Sequence, residues 1–331
     1  MSTVDIALIR AYLANARKAL QSVDVSHAEI LVGWAQKLLA QQFAPLSVDL
    51  SMQMSVGIGL NTGIKRQGKP NEDFAFAATD VNVQTQETYG LFIVADGMGG
   101  HANGQVASRL ATETIVNTLL PFLHCECVQA SNLGDRLVEA ATRANTVIYE
   151  QNQQGVTSQP LDQMGTTITM AVVLGPHAFI ANIGDSRTYL YRPGVGLRTI
   201  TRDHSVVANL VAEGAIQPDE MYTHPKRNVI WRCLGAAPMV EVDLFYEELQ
   251  DGDILLLCTD GVWEMTRNPP IEQILSSSWL SAEHMAERLM YAALQGGGLD
   301  NIGLIVSQVQ MDLTAMQTIV RSPSIYAAAA S

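Results

Sequence analysis

No stretch of this sequence approaches the ~20 consecutive apolar residues that a membrane-spanning helix needs. The longest runs, such as Leu91-Phe92-Ile93-Val94-Ala95 and Ile254-Leu255-Leu256-Leu257-Cys258, have the length of buried strands. Basic residues are scarce as well. With 20 Lys and Arg against 33 Asp and Glu the net charge is −13, so there is no basic footprint for a nucleic-acid backbone or an anionic lipid surface. Nucleic acid and membranes are therefore not expected as partners. Cysteine is confined to Cys125, Cys127, Cys233 and Cys258, without the spacing of a disulfide framework. The first residues carry Asp5 and no basic segment ahead of an apolar core, unlike a secretory signal. From these absences a reduced, cytoplasmic setting is expected. Cys125 and Cys127 stand next to His124, but no second cluster completes a four-ligand soft-metal site, and a solvent-facing turn is the competing reading.

What remains is an ordinary globular composition, 47% hydrophobic and 16% charged, long enough for one large core or two modest ones. Residues 4–42 read as a helical hairpin. Ile6, Ile9, Leu13 and Leu20 recur near the helical period, and Ser26 with Glu29 forms a capping box ahead of Ile30, Leu31, Trp34, Leu38 and Leu39. This N-terminal extension, residues 1–45, either packs against the rest of the chain or serves in docking or self-association. Pro45 and the polar stretch 47–55 close it off. Strand patterns follow at 74–78, 89–95, 166–174, 178–183, 187–191, 253–258 and 302–309, interrupted by helical patterns at 103–120, 133–153 and 282–294. Strands in runs and helices in pairs argue for antiparallel sheets covered by helices, an α/β protein of the α+β type. Residues 311–331, ending in alanines, read as a frayed tail.

Aspartates stand at strand ends. Asp96-Gly97-Met98-Gly99-Gly100 follows one apolar strand, Asp260-Gly261-Val262-Trp263-Glu264 follows another, Asp300-Asn301 precedes a third, and Asn71-Glu72-Asp73 leads into a fourth. Any one of these is explained as a turn. Four together, with glycines that let carbonyl oxygens come close, match what magnesium or manganese requires: oxygen ligands and room for water.

These residues resemble the metal-dependent protein phosphatases of the PPM (type 2C) family, in particular its bacterial branch. The ordered match continues through Met164-Gly165-Thr166-Thr167, Gly184-Asp185-Ser186-Arg187, Asp203-His204-Ser205, His224-Pro225-Lys226-Arg227-Asn228-Val229 and Cys258-Thr259-Asp260-Gly261 to Asp300-Asn301, covering about residues 56–310. The resemblance implies two central antiparallel β-sheets sandwiched between pairs of helices, with a flap at about 205–228. It implies hydrolysis of phosphoserine and phosphothreonine in proteins, by in-line attack of a hydroxide shared between two Mn2+ or Mg2+ ions. Asp96 would bridge the ions, the Gly97 carbonyl would serve one, and Asp260 and Asp300 would hold the other. Glu72 and Asp73 would complete the site directly or through water. Asp162 stands where relatives carry an aspartate for a third ion, although a loop carboxylate after Pro160 explains it equally.

Two positions depart from the pattern. The arginine that grips phosphate in relatives falls on Gly68 here, leaving Arg66 or Lys69 to replace it; Arg66 is the expectation, because a guanidinium fork matches phosphate bidentately. Met98 replaces a histidine of eukaryotic relatives, as it does in bacterial members. His101 is read as a helix cap or supporting partner rather than a catalyst. The rival expectation is a catalytically impaired, phosphatase-like scaffold.

Overall fold

The computed structural model describes residues 52–99, 103–128, 130–154, 163–311 and 324–328. The expected hairpin at 1–45, Asp162 and His101 lie outside the described residues.

Two antiparallel sheets face each other. The first runs β1 (Met52–Asn61), β11 (Ile302–Met311), β10 (Ile254–Cys258), β7 (Arg187–Arg192), β8 (Gly196–Thr199). The second runs β12 (Ser324–Ala328), β2 (Asp73–Val81), β3 (Thr88–Met98), β5 (Ile168–Leu174), β6 (His177–Ile183), β9 (Asp243–Glu248), with the short β4 (Gly165–Thr166) attached to the end of β3. Helices α1 (Asn103–Cys125) and α2 (Ala130–Gln154) cover the second sheet. A short helix α3 (Val206–Ala212) and a 3-10 turn (Pro218–Tyr222) follow β8, and α4 (Asp260–Thr266), α5 (Asn268–Leu275) and α6 (Ala282–Gln295) cover the first sheet.

The strand alternation explains this layering. Along β3, Leu91 and Ile93 join the core under α1 and α2, whereas Phe92 and Val94 join the core between the sheets. Along β10, Leu256 packs under the helices of the first sheet, while Leu255 and Leu257 face the second sheet. All of these side chains are fully buried, each contributing about 1.5–3 kcal/mol relative to exposure. Both strands are apolar on both faces, which is why they read as uninterrupted hydrophobic runs.

The two sheets with their helical covers match the expected class. Two boundaries differ, and strands β8, β9 and β12 were not expected. The first helix runs through Pro121 to Cys125, because a proline in the last turns removes one hydrogen bond while Phe122 and Leu123 remain buried. Strand β1 begins at Met52, inside the stretch read as a polar break. Strand β9 was hidden by its acidic composition, Asp-Leu-Phe-Tyr-Glu-Glu, although it alternates in exposure as an edge strand does. The region 311–331, expected to fray, contributes β12, paired with β2 from Ser324↔Thr79 to Ala328↔Ala75.

Candidate metal centre

The aspartates of the four strand ends meet at one end of the sandwich. Asp73 opens β2 and Asp96 stands directly opposite it on β3. The Thr259 hydroxyl donates to Asp73 Oδ2 at 2.8 Å and accepts the Gly303 N–H at 3.0 Å, which ties the second sheet to β10 and β11 of the first. Thr259 is also the N-cap residue of α4, so it precedes Asp260 at the helix start. A Cβ at position 303 would lie 3.1 Å from Asp73 Oδ2, and the absent side chain is what admits the carboxylate.

Asn301 closes the other side. Its Oδ1 accepts the Glu72 N–H at 2.9 Å and its Nδ2 donates to the Thr62 carbonyl at 3.0 Å, fixing the loop 62–72 against the start of β11. Arg66, in that loop, forms ion pairs with Glu72 and, at 3.0 Å, with Asp300. Burial pulls the Arg66 pKa down, but the charges of Asp300 and Glu72 outweigh it, so the net shift is upward. Lys69 is exposed on the same turn and makes no ion pair among the described residues.

Asp96 is held through its backbone. The Thr166 hydroxyl and the Thr167 N–H both donate to its carbonyl at 2.8 Å, and Thr167 Oγ1 accepts the Asp96 N–H at 3.2 Å. Gly97 donates its N–H to the Glu72 carbonyl at 3.0 Å, and a Cβ there would stand 2.0 Å from the Gly104 carbonyl oxygen. Only glycine lets the start of α1 approach β3 this closely. Thus Glu72, Asp73, Asp96, Gly97, Asp260 and Asp300 belong to one neighbourhood.

The electrostatics carry its chemistry. Asp73 is pushed up to about 8 by burial and then by the charge of Asp300, against the opposing hydrogen bond from Thr259. Asp96 rises well above the usual carboxylate range through burial, then Asp73, Asp260, Asp185 and Asp300. Asp260 rises likewise through burial, then Asp185, Asp300, Glu264 and Asp73. Carboxylates crowded together in low dielectric, with one arginine among them, are a surplus of negative potential that a divalent cation neutralises. The donor set is all oxygen and fits a hard ion. Among the described residues no three acidic, histidine or cysteine side chains are placed closely enough to hold a metal ion as they stand, so the fit rests on donor chemistry and charge.

Sequence reasoning missed Asp185. It is buried, is pushed up to about 7 by burial and then by Asp203, and is the leading charged influence on Asp260. Thr259 and Asn301 were noticed only as motif letters. Burial raises the thiol pKa of Cys233 and of Cys258, which disfavours the thiolate that a cysteine nucleophile needs.

Comparison with known proteins gives the same reading over most of the chain. The family model for protein phosphatase 2C matches residues 62–295. The serine/threonine phosphatase stp of Listeria monocytogenes is 34% identical over 231 residues, 70% of this chain and 88% of that protein. The S. agalactiae serine/threonine phosphatase structure superposes with a TM-score of 0.67 at 30% identity, covering 78% of this chain and all of that one. The catalytic domain of the serine/threonine protein phosphatase PstP, solved with two manganese ions, gives 0.64 at 31% identity, covering 78% of this chain and 99% of that one. Carboxylates that need a cation and matches of this extent lead to one conclusion: the chain belongs to the protein phosphatase 2C family.

Proposed function

We propose that this protein is a metal-dependent serine/threonine phosphoprotein phosphatase whose working centre is formed by Asp73, Asp96, Asp260 and Asp300 with Glu72 and the Gly97 carbonyl. The observation that carries the reading is the convergence of these carboxylates from four separate segments, with the pKa values of Asp73, Asp96 and Asp260 driven upward by burial and then by neighbouring acidic charge. Family membership supports the reaction class.

Two bound divalent cations, manganese or magnesium, would supply an activated water and neutralise charge on the phosphoryl oxygens. The chain's own residues do the rest. Thr166 and Thr167 hold the Asp96 backbone so that its carboxylate cannot drift with the loop, and Thr259 orients Asp73. Arg66 stands at the edge of the carboxylates with its guanidinium fork beside Asp300, a position suited to receive the substrate phosphate; Lys69 on the same turn adds a more distant positive charge. Asp162 is the candidate for holding a third ion, and Met98 leaves leaving-group protonation to water. The catalytic unit spans about 56–310, with the flap at 205–228 shaping the approach of the phosphoprotein. Residues 1–45 are the candidate docking or self-association segment, with packing against the catalytic unit as the alternative, and the cytoplasm is the setting in which the protein would work.

Release of phosphate from phosphoserine, phosphothreonine and phosphotyrosine peptides, with and without manganese, tests the proposal. Manganese-dependent turnover of the first two, lost with chelator and nearly abolished by Asp96→Ala, is expected. Tight phosphoprotein binding without release would instead identify a scaffold.

A further inference from the structure

A buried cation stands behind the acidic cluster in a network that the reaction does not require. The Arg187 guanidinium, on β7, donates to both oxygens of Asp203 at 2.9 and 2.7 Å and to the Tyr189 hydroxyl at 3.0 Å. Its flat face lies 3.5 Å over the ring of Trp263. Trp263, in turn, donates its indole N–H to the Asp185 carbonyl at 3.0 Å. Trp263 sits on α4, three residues after Asp260, so one ring touches both the helix that delivers Asp260 and the turn that presents Asp185. The 3-10 turn adds Tyr222, 6.2 Å from Trp263 between ring centres, with the Arg267 guanidinium 3.7 Å over the Tyr222 ring.

Stability alone does not account for such a network. A buried arginine–aspartate pair loses hydration on both partners, and apolar residues of equal volume are often as stable or more so. What the pair and the stacked ring do provide is geometry: the fork fixes Arg187, Arg187 fixes the ring plane, and the ring's N–H fixes the turn. Every fixed segment carries a carboxylate of the metal centre or its neighbour.

We propose that Arg187 and Trp263 are positioning residues for the cation site, acting as a clamp that sets the spacing of Asp260 and Asp185. This inference rests on the metal-dependent function proposed above. The clamp keeps the mutually repelling carboxylates of Asp260 and Asp185 near each other rather than letting them spread into solvent. Groups that orient first ligands in this way alter metal affinity by about 10–100-fold when removed.

Calorimetric titration of Mn2+ into the chelator-stripped full chain, alongside thermal melting of the same stripped samples, tests the clamp. Trp263→Phe keeps an aromatic face for Arg187 and removes the indole N–H together with one ring, a loss of packing that the melting temperature reports separately; Arg187→Lys keeps the charge and removes the planar fork. Both are expected to bind Mn2+ 10–100-fold more weakly, with turnover restored at saturating Mn2+. Lowered melting temperatures with Mn2+ affinity within twofold of wild type would overturn the clamp and leave a structural role. Should Arg187→Lys fail to fold, Trp263→Phe decides alone. Wild type that takes up no Mn2+ would refute the metal-dependent function and the clamp together, whereas normal wild-type binding with unaltered variants refutes only the clamp.

Discussion

Strand β10 begins just after Asp253 and ends two residues before Asp260, and the two aspartates have opposite fates. Asp253, fully buried, receives both arms of Arg192 at 2.9 and 2.7 Å and the Gln250 N–H at 2.8 Å. Asp260, seven positions further on, feels the charges of Asp185, Asp300 and Glu264 and forms no ion pair with an arginine among the described residues. The same residue type at the two ends of one apolar strand is a structural anchor where its charge is answered and a candidate ligand where it is not. The molecule thus carries an electrostatic strain at one end of the sandwich that its other end does not share.

Exchanging each aspartate for asparagine separates the two roles most widely. Asp260→Asn is expected to lower turnover by more than about 10³-fold and to abolish tight Mn2+ binding, while the stripped protein melts no earlier than wild type because one repelling charge is gone. Asp253→Asn should leave Mn2+ affinity intact yet cost about 3 kcal/mol in denaturant unfolding, since Arg192 loses its partner. Equal losses of stability in the two variants would erase the distinction.

The two arginines extend the comparison. Arg192 is committed to Asp253 and the Glu248 carbonyl, whereas Arg66 is shared between Glu72, Asp300 and, in the proposed reaction, phosphate. Arg66→Lys should reduce kcat/KM on phosphopeptides by about 10²-fold, with Mn2+ affinity changed only slightly. Lys69→Ala, at an exposed position, should change kcat/KM little. A larger loss at Lys69 than at Arg66 would reassign the phosphate contact.

Proton linkage gives a smaller but directional effect. Asp73 titrates near 4 when unfolded and at about 8 when folded without metal, so the folded state holds a proton that the unfolded chain has released. This contribution is complete below about pH 4 and disappears as pH rises through 8. Metal needs the ionised carboxylate and displaces that proton. The gap in melting temperature between Mn2+-loaded and stripped protein should therefore widen from pH 5 to pH 8. A constant gap would mean that the carboxylates do not bind the ion.

Much of this centre is legible in the sequence, for a physical reason. Asp96 and Asp260 stand immediately after apolar runs that only a buried strand explains, and Asp300 immediately before one, so their places in space follow from strand ends and their order matches a family pattern. Asp185 is different. It sits in a turn, where an aspartate is unremarkable, and its importance comes from proximity to Asp260 across seventy-five positions of sequence, which local pattern does not encode. Thr259 and Asn301 escape for the same reason: their partners, Asp73 and Glu72, are distant in the chain. Among the elements, β9 was missed because its edge position exposes every second residue and needs no strong hydrophobic signature, and β12 because its Ser-Ile-Tyr-Ala-Ala run leads straight into alanines.

The finest distinction concerns two hydroxyls. Thr169 and Thr188 share a hydrogen bond of 2.7 Å in the interior, neutral group to neutral group. Thr259 instead donates to a carboxylate, Asp73, whose charge changes with pH and with metal. Thr188→Val should cost about 1 kcal/mol at every pH, the ordinary worth of such a bond. Thr259→Val removes a donor that favours the ionised form, so its cost in the stripped protein should grow from pH 5 to pH 8, reaching about 2 kcal/mol. Denaturant unfolding at both pH values reads the difference directly, and parallel profiles for the two variants would show that Asp73 draws no special support from Thr259.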